Sequence, residues 1–475
     1  MAPSPPPHPL PAALSLSRSL SPSPSLPDTP SSQSRLSQLS SHLSTASHTM
    51  AAVFSAANVP QAPEDPLFGL MRAYRQDPFA KKVDLGIGAY RDDHAKPWIL
   101  PVVRKADEIL RSDPELNHEY LPIAGLPQYT GAAQKLILGA DSPAIHDGRV
   151  ATFQTISGTG AVHLGALFLA KFHPLRPAPT VYLSDPTWAN HNQIFTNVGL
   201  QIAKYPYFSA QTKGLDIDGL LSTLLAAPAG SIIVLHACAH NPTGVDPTHD
   251  QWKQIATVIR ERGHFPFFDC AYQGFASGDL ARDAWAIRYF VSQGFETCVA
   301  QSFAKNFGLY GERAGAFHWI SAPDAAATSQ VTTGNIASQL AILQRSEISN
   351  PPAYGSRIAS IVLNDPQLFA EWEEDLRTMS GRIAEMRLGL RQRLEARILA
   401  DSSNIINGSQ ANWAHITSQI GMFSFTGLSE SQVKVLREKW HIYMTKNGRI
   451  SMAGINSHNI DYVAEAIDSV IRETA

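Results

Sequence analysis

Cysteine is scarce: three residues (Cys238, Cys270, Cys298) in a chain of 475. So few, in an odd number, exclude a disulfide scaffold and predict reduced thiols in an intracellular compartment. Charge of one sign is missing too. Lys and Arg number 38 against 41 Asp and Glu, a formal net charge of −3, and no basic excess points to nucleic acid or an anionic membrane. No uninterrupted apolar run approaches the roughly 20 residues of a membrane span. There is no Walker loop, and "GTGAVHLG" (158–165) lacks the G-x-G-x-x-G spacing, which disfavours a nicotinamide dehydrogenase.

The chain does carry enough apolar residues, 44%, for a large core, and its length calls for two or more domains. Residues 1–49 differ from the rest. They are rich in Pro and Ser and contain a single acid, Asp28. Such a segment buries too little apolar surface to offset its ordering entropy, so disorder is expected. The scarcity of acid, with Arg18 and Arg35, is transit-peptide-like, but the prolines spoil an amphipathic helix. The favoured reading is an extension with no part in the fold, with Met50 as an alternative start.

From about residue 50, "VPQAPEDPLFGL" (59–70) reads as an extended arm leading into a helix. Farther on, short β-branched and aromatic runs at 151–156, 180–184, 231–237, 265–269 and 296–302 alternate with helical patterns at 158–172, 248–262 and 279–293. Thr248 and Gln251 form a capping-box pattern at the start of the second helix. The alternation predicts an α/β fold, a mostly parallel sheet covered on both faces. Strand patterns at 422–428, 441–445 and 449–455 among helices predict a second, smaller α/β unit.

In such sheets a ligand sits beyond the carboxyl ends of the strands. Those ends carry Ser157-Gly158-Thr159, then Trp188, Asn241, Asp269 with Tyr272, and Ser302 with Lys305 and Arg313. Ser157-Gly158-Thr159 opens a helix, where free N–H groups and two hydroxyls face an anion. Ser302 and Arg313 add a hydroxyl and a guanidinium to the same phosphate. Each alone would read as an ordinary cap; together they form a phosphate site. Lys305, lone among aromatic and glycine residues in "SFAKNFGLYGER" (302–313), then asks for an aldehyde partner, because an ammonium is disfavoured there and the free amine is a nucleophile. Pyridoxal phosphate matches this set. Asp269 would keep the ring nitrogen protonated, Trp188 would stack on the ring, and Tyr272 and Asn241 would bond its hydroxyl. "HACAH" (236–240) does not read as a metal cluster, because no companion ligands accompany it, and His236 is assigned to the core or to a supporting position.

At these residues the chain resembles the class I, fold-type I pyridoxal-phosphate aminotransferases of the aspartate aminotransferase type. The motifs are "SGTGA", "PTWANHN", "HACAHNPTG", "FPFFDCAYQGFASG", "QSFAKNFGLYGER" and "NGRISMAGI", with "VDLGIGAYRDDHAKPW" (83–98) and "NHEYLPIAGL" (117–126), from about residue 53 onward. The resemblance implies a large domain with a mostly parallel seven-stranded sheet sandwiched by helices, plus a smaller α/β domain. It divides the chain into 1–49 as extension, 50–97 as N-terminal arm and first part of the small domain, 98–375 as large cofactor-binding domain and 376–475 as C-terminal small domain. It makes Lys305 the Schiff-base lysine and proton carrier, with Asp269 and Tyr272 as its catalytic companions. His191 lies behind Asp269, and Tyr120 joins the phosphate from a partner subunit. Arg449, beside Gly88, clamps the substrate α-carboxylate near Trp188 and Asn241. Arg345, before "SNPPAYG", reaches across a homodimer to the side-chain carboxylate. The implied reaction passes the amino group of L-aspartate to 2-oxoglutarate, giving oxaloacetate and L-glutamate, with no metal. An aromatic or kynurenine aminotransferase and a cofactor-free interaction protein are the other readings. The expected location is cytoplasmic, or mitochondrial if residues 1–49 act as a transit peptide.

Overall fold

The computed structural model describes residues 54–324, 326–399 and 412–474; the expected disordered extension at 1–49 lies outside them. Residues 64–474 make one compact unit. Residues 54–63 are a separate piece with its own turn, in which the Asn58 and Val59 amides donate to the Ser55 carbonyl at 2.9 Å.

The central sheet has seven strands: β1 (Val150–Ile156), β2 (Val181–Asp185), β3 (Ile202–Pro206), β4 (Ile232–His236), β5 (Phe265–Cys270), β6 (Thr297–Ser302) and β7 (Ala314–Ile320). Their spatial order is β1-β7-β6-β5-β4-β2-β3. Only β7 runs antiparallel to its neighbours. The middle strands β4, β5 and β6 are buried along almost their whole length because both faces are covered, and their first residues are mostly apolar. In β4, Ile233 and Leu235 join one core with Trp252, Ile259 and Phe290, while Ile232 and Val234 join the opposite one with Leu164, Phe168 and Phe195. Helix Ser157–Phe172 lies so close to the sheet that a Cβ on Gly165 would come within 2.6 Å of Phe317 and 2.7 Å of Phe267, so this contact requires glycine.

Local signals held where the chemistry is strong. Asp65 caps helix Pro66–Gln76 with proline in its first turn, and Thr248 and Gln251 form the expected reciprocal capping box. Four readings change, one of them the strand expected at 441–445, which is confined to Ile442–Tyr443 and pairs with Val83–Asp84. The helix expected at 279–293 is two helices, Leu280–Asp283 and Trp285–Ser292, broken at Ala284. The strand expected at 449–455 runs only over Arg449–Ser451 and then tightens into a 3₁₀ turn at Met452–Gly454. The one expected at 422–428 is confined to Phe423–Phe425, which pairs with Arg449–Ser451. A third core, built on Trp372, Leu376, Met379 and Ile383 of helix Pro366–Leu399 and Val463 and Ile467 of the last helix, supports that pair. The boundary drawn at 375/376 falls inside this 34-residue helix.

Polar groups in the sheet are matched with care. His318 of β7 bonds Thr152 Oγ1 through Nδ1 and Gln301 Oε1 through Nε2, both at 2.9 Å. Burial pushes its pKa from 6.5 down to about 3. The sign of the linkage follows. Below pH 6.5 the unfolded chain takes up a proton that the folded ring refuses, so stability held in full above 6.5 is lost as pH falls toward 3. His318→Gln, which removes the titration, should therefore lose about 2 kcal/mol less than the parent between pH 7 and 5. Urea midpoints at fixed protein concentration measure this; equal losses would refute it.

Candidate active site

The carboxyl end of the sheet opens into a cleft of about 250 Å³ lined by Ser157, Gly158, Thr159, Trp188, Asn241, Asp269, Tyr272, Ser302, Lys305 and Arg313. Ten positions expected from the sequence thus meet in one place. His236, Cys238 and Tyr310 line it as well.

One end of the cleft is built for an anion. Ser157 and Arg313 both take left-handed backbone angles, φ +59° and +55°, and face each other through the Ser157 amide, which donates to the Arg313 carbonyl at 3.0 Å. Strain at two non-glycine residues is the kind that clusters at ligand clamps. The Ser157 and Ser302 hydroxyls lie 3.1 Å apart, and a Cβ on Gly158 would fill the space beside them, 3.0 Å from Ser302 Cβ. Hydroxyls, the N-terminus of the helix Ser157–Phe172 and the Arg313 guanidinium converge there.

Lys305 sits in the middle, its Nζ 5.3 Å from the centre of the Tyr272 ring. Burial pulls its pKa down; Asp269 opposes this and Arg313 adds to it. Burial pushes the Tyr272 hydroxyl up, with Arg449 pulling the other way. The Asp269 carboxyl is likewise pushed up by burial, but the His191 hydrogen bond, helped by the neighbouring His191, His236 and Lys305, outweighs this, and the net shift is downward. Asp269 is thus a carboxylate, able to hold a proton on a nitrogen base set against it. The set fits a phosphorylated aldehyde with a basic ring nitrogen, the expected pyridoxal phosphate.

Behind Asp269 runs a relay whose direction can be deduced. The Asn241 amide, which can only donate, lies 3.3 Å from His236 Nδ1. His236 is neutral, its pKa pushed by burial to about 3, so its proton is on Nε2. That N–H donates to Thr187 Oγ1 at 3.2 Å, the Thr187 hydroxyl donates to His191 Nδ1 at 3.0 Å, and His191 Nε2 donates to Asp269 Oδ2 at 3.1 Å. His191 thereby takes its expected place. Thr187 escaped the sequence reading: a hydroxyl matters here only because two histidines from different elements converge on it.

A second cleft of about 680 Å³ shares Trp188 and Asn241 with the first and includes Arg449. Arg449 is 6% exposed. Its Nη2 donates to the Gly86 carbonyl at 3.0 Å, its guanidinium lies 4.2 Å from the Phe423 ring centre, and its Nε has no partner. No carboxylate pairs with it among the described residues. A buried guanidinium with an orphaned donor is an anion receptor. Gly88 is part of its surroundings, since a Cβ there would meet Phe423 at 3.3 Å. Tyr120 and Arg345 are not brought to either cleft. Tyr120 is 86% exposed, and Arg345, near the end of helix Ala326–Ile348, donates to Ser349 Oγ on the surface.

Among the described residues no cluster is placed to hold a metal ion, and no helix is long and apolar enough to cross a membrane.

Lys305, Asp269 and Arg313 gathered at the carboxyl end of the sheet, with Arg449 in the adjoining cleft, agree with sequence comparison: residues 80–467 match the family described as "Aminotransferase class I and II", and the chain belongs to that family. Within it, the chain is 50% identical over 417 residues to the cytoplasmic aspartate aminotransferase of Schizosaccharomyces pombe, covering 88% of this chain and 98% of that one. The solved cytoplasmic aspartate aminotransferase of Saccharomyces cerevisiae superposes with a TM-score of 0.83 at 49% identity, over 88% and 99% of the two chains. An aromatic-amino-acid aminotransferase from Burkholderia pseudomallei, solved covalently bound to pyridoxal phosphate, gives a TM-score of 0.81 at 41% identity over 89% and 99%.

Proposed function

We propose that the protein is a pyridoxal-phosphate-dependent aspartate aminotransferase of the cytoplasm, which moves the amino group of L-aspartate reversibly to 2-oxoglutarate by a ping-pong cycle, as a homodimer with shared sites. The observation that carries this is the amine of Lys305, the one lysine lining the cleft that also holds Asp269 and Arg313, next to a second cleft that holds the orphaned Arg449. The curated relatives named above, at about half identity over nearly their full length, support the substrate assignment and the location.

When bound, the cofactor supplies an aldehyde for amines and a cationic ring that accepts the electron pair left by the α-proton. The chain's residues do the rest. Ser157, Gly158, Thr159, Ser302 and Arg313 grip the phosphate, joined by Tyr120 of the second subunit. Asp269, oriented by His191, would hold a proton on the ring nitrogen. Tyr272, Asn241 and Trp188, which line the same cleft, would hold the ring by hydrogen bonds and stacking. Arg449 would bind the α-carboxylate and so turn the α-hydrogen toward Lys305 Nζ, whose free amine would serve as the base that holds and moves that proton. Arg345, from the second subunit, receives the side-chain carboxylate. The division we propose keeps 50–97 as N-terminal arm and first part of the small domain, 98–375 as the large domain and 376–475 as the C-terminal small domain, which bears Arg449.

The test is the absorbance spectrum of the purified protein with pyridoxal phosphate. A lysine-bound band that L-aspartate abolishes and 2-oxoglutarate restores is expected. A band indifferent to L-aspartate would refute the substrate assignment, and no band would refute the cofactor.

A further inference from the structure

Beyond β4 the chain turns back through a bend that carries Asn241, and the bend is strained. Ala239 has φ +47°, a region a side chain with a Cβ avoids at a cost of about 1–2 kcal/mol. Such strain persists only where the surroundings over-determine it. Here the surroundings are one carboxylate farther along. Asp246 Oδ2 accepts the Ala239 amide at 2.7 Å and Oδ1 accepts the His240 amide at 2.9 Å. No cation forms a salt bridge with Asp246 among the described residues. Arg282 acts on it at longer range, and Asp283, Tyr207 and Cys238 feel its charge. The His240 side chain is locked in turn by Ser184 Oγ at 2.9 Å and Thr243 Oγ1 at 2.8 Å, with Tyr207 stacked on its ring at 3.8 Å.

The next amide belongs to Asn241 and begins the relay to Asp269. The Asn241 side chain lies 3.5 Å from Arg449. Two groups with separate tasks therefore hang from the bend that Asp246 fixes.

We propose that Asp246 is a positioning residue for the reaction: by clamping the amides of Ala239 and His240 it aims the Asn241 amide at His236, and so fixes the tautomers that end on Asp269. It touches no reacting atom. The inference rests on the function proposed above.

Asp246→Asn keeps the shape but replaces one acceptor oxygen by an NH₂ group, which then faces a backbone donor. The readout is the pH midpoint of the cofactor's absorbance at Lys305 in the purified holoprotein. A loosened relay stabilises the Asp269 carboxylate less, the ring nitrogen holds its proton less firmly, and less positive charge then faces the Lys305 nitrogen. The midpoint should rise by about 0.5 pH unit or more. Thr187→Val, which cuts the relay in its middle, should move it the same way. Adding Ala239→Gly to Asp246→Asn should recover part of the shift, since glycine takes φ +47° without strain.

A folded Asp246→Asn protein with the parent midpoint, beside a shifted Thr187→Val, would overturn the proposal. Should Asp246→Asn not fold, hydrogen exchange of the parent apoprotein decides. Ala239 and His240 amides protected beyond those of the other residues in the bend uphold the clamp, and amides exchanging as fast as those neighbours overturn it. A parent holoprotein with no pH-dependent cofactor band would instead refute the functional reading, and the exchange measurement, which needs no cofactor, would still decide whether Asp246 holds the bend.

Discussion

Lys305→Ala should abolish transamination, with a loss of about 10⁴-fold or more, while the protein folds and still takes up pyridoxal phosphate. The first half rests on chemistry. Lys305 supplies the only amine among the residues lining the cleft, and burial with Arg313 nearby keeps it more available as a free base than an exposed lysine would be. No neighbour can replace it. Arg313 is fixed on the Tyr310 carbonyl at 2.9 Å and faces the anion end, and a guanidinium does not give up its proton. The second half rests on geometry. The Ser157–Ser302 hydroxyl pair, the strained amides beside it and Asp269 with its relay do not depend on the lysine side chain. Turnover with L-aspartate and 2-oxoglutarate measures the first half, and retention of cofactor absorbance after gel filtration the second. Near-normal turnover would end the assignment of Lys305, whereas a protein that neither turns over nor retains cofactor would give the lysine bond most of the binding.

Much of this site was legible because its residues sit where two local codes meet. A strand that opens on apolar, β-branched or aromatic residues closes on polar ones: Asp269 near the end of β5 after "FPFF", Ser302 at the end of β6. The code fails where the strand is atypical. β3, "IAKYP", lies at the sheet edge and carries a lysine and a proline, so it lacks the apolar run that marks the middle strands. β7, "AGAFHWI", opens on small residues and holds a buried histidine whose partners come from β1 and β6. Neither strand was read from pattern; only the family resemblance supplied the count of seven. Thr187, Tyr310 and Asp246 were illegible for a related reason. Each acts through a contact with residues brought near by the bend or the sheet, and nothing in its own neighbourhood of sequence distinguishes it from a turn residue.

Arg345→Asp should cut kcat/KM for L-aspartate by about 10²-fold or more while changing that for L-phenylalanine only a few-fold, because the charge-assisted pair is made with dicarboxylates alone and aspartate adds repulsion in its place. Arg449→Leu should instead lower kcat/KM for both donors alike, since every amino acid presents an α-carboxylate to the buried guanidinium. The contrast separates an aspartate from an aromatic aminotransferase, a distinction that fold likeness leaves open when both kinds of relative superpose this well. Equal losses on the two donors for Arg345→Asp would assign specificity to another residue. The position of Arg345 sharpens the test further. In a single chain it is exposed and reaches neither cleft, so it can serve a substrate only in the site of another copy. Lys305→Ala and Arg345→Asp chains, each strongly impaired on L-aspartate alone, should therefore complement when refolded together. One site of every mixed dimer then joins an intact Lys305 to the intact Arg345 of its neighbour, while the other site carries both defects. If Arg345 served its own chain, each site of the mixed dimer would retain one defect and no activity would return, so recovery on mixing identifies the site as shared and Arg345 as its reader of the second carboxylate.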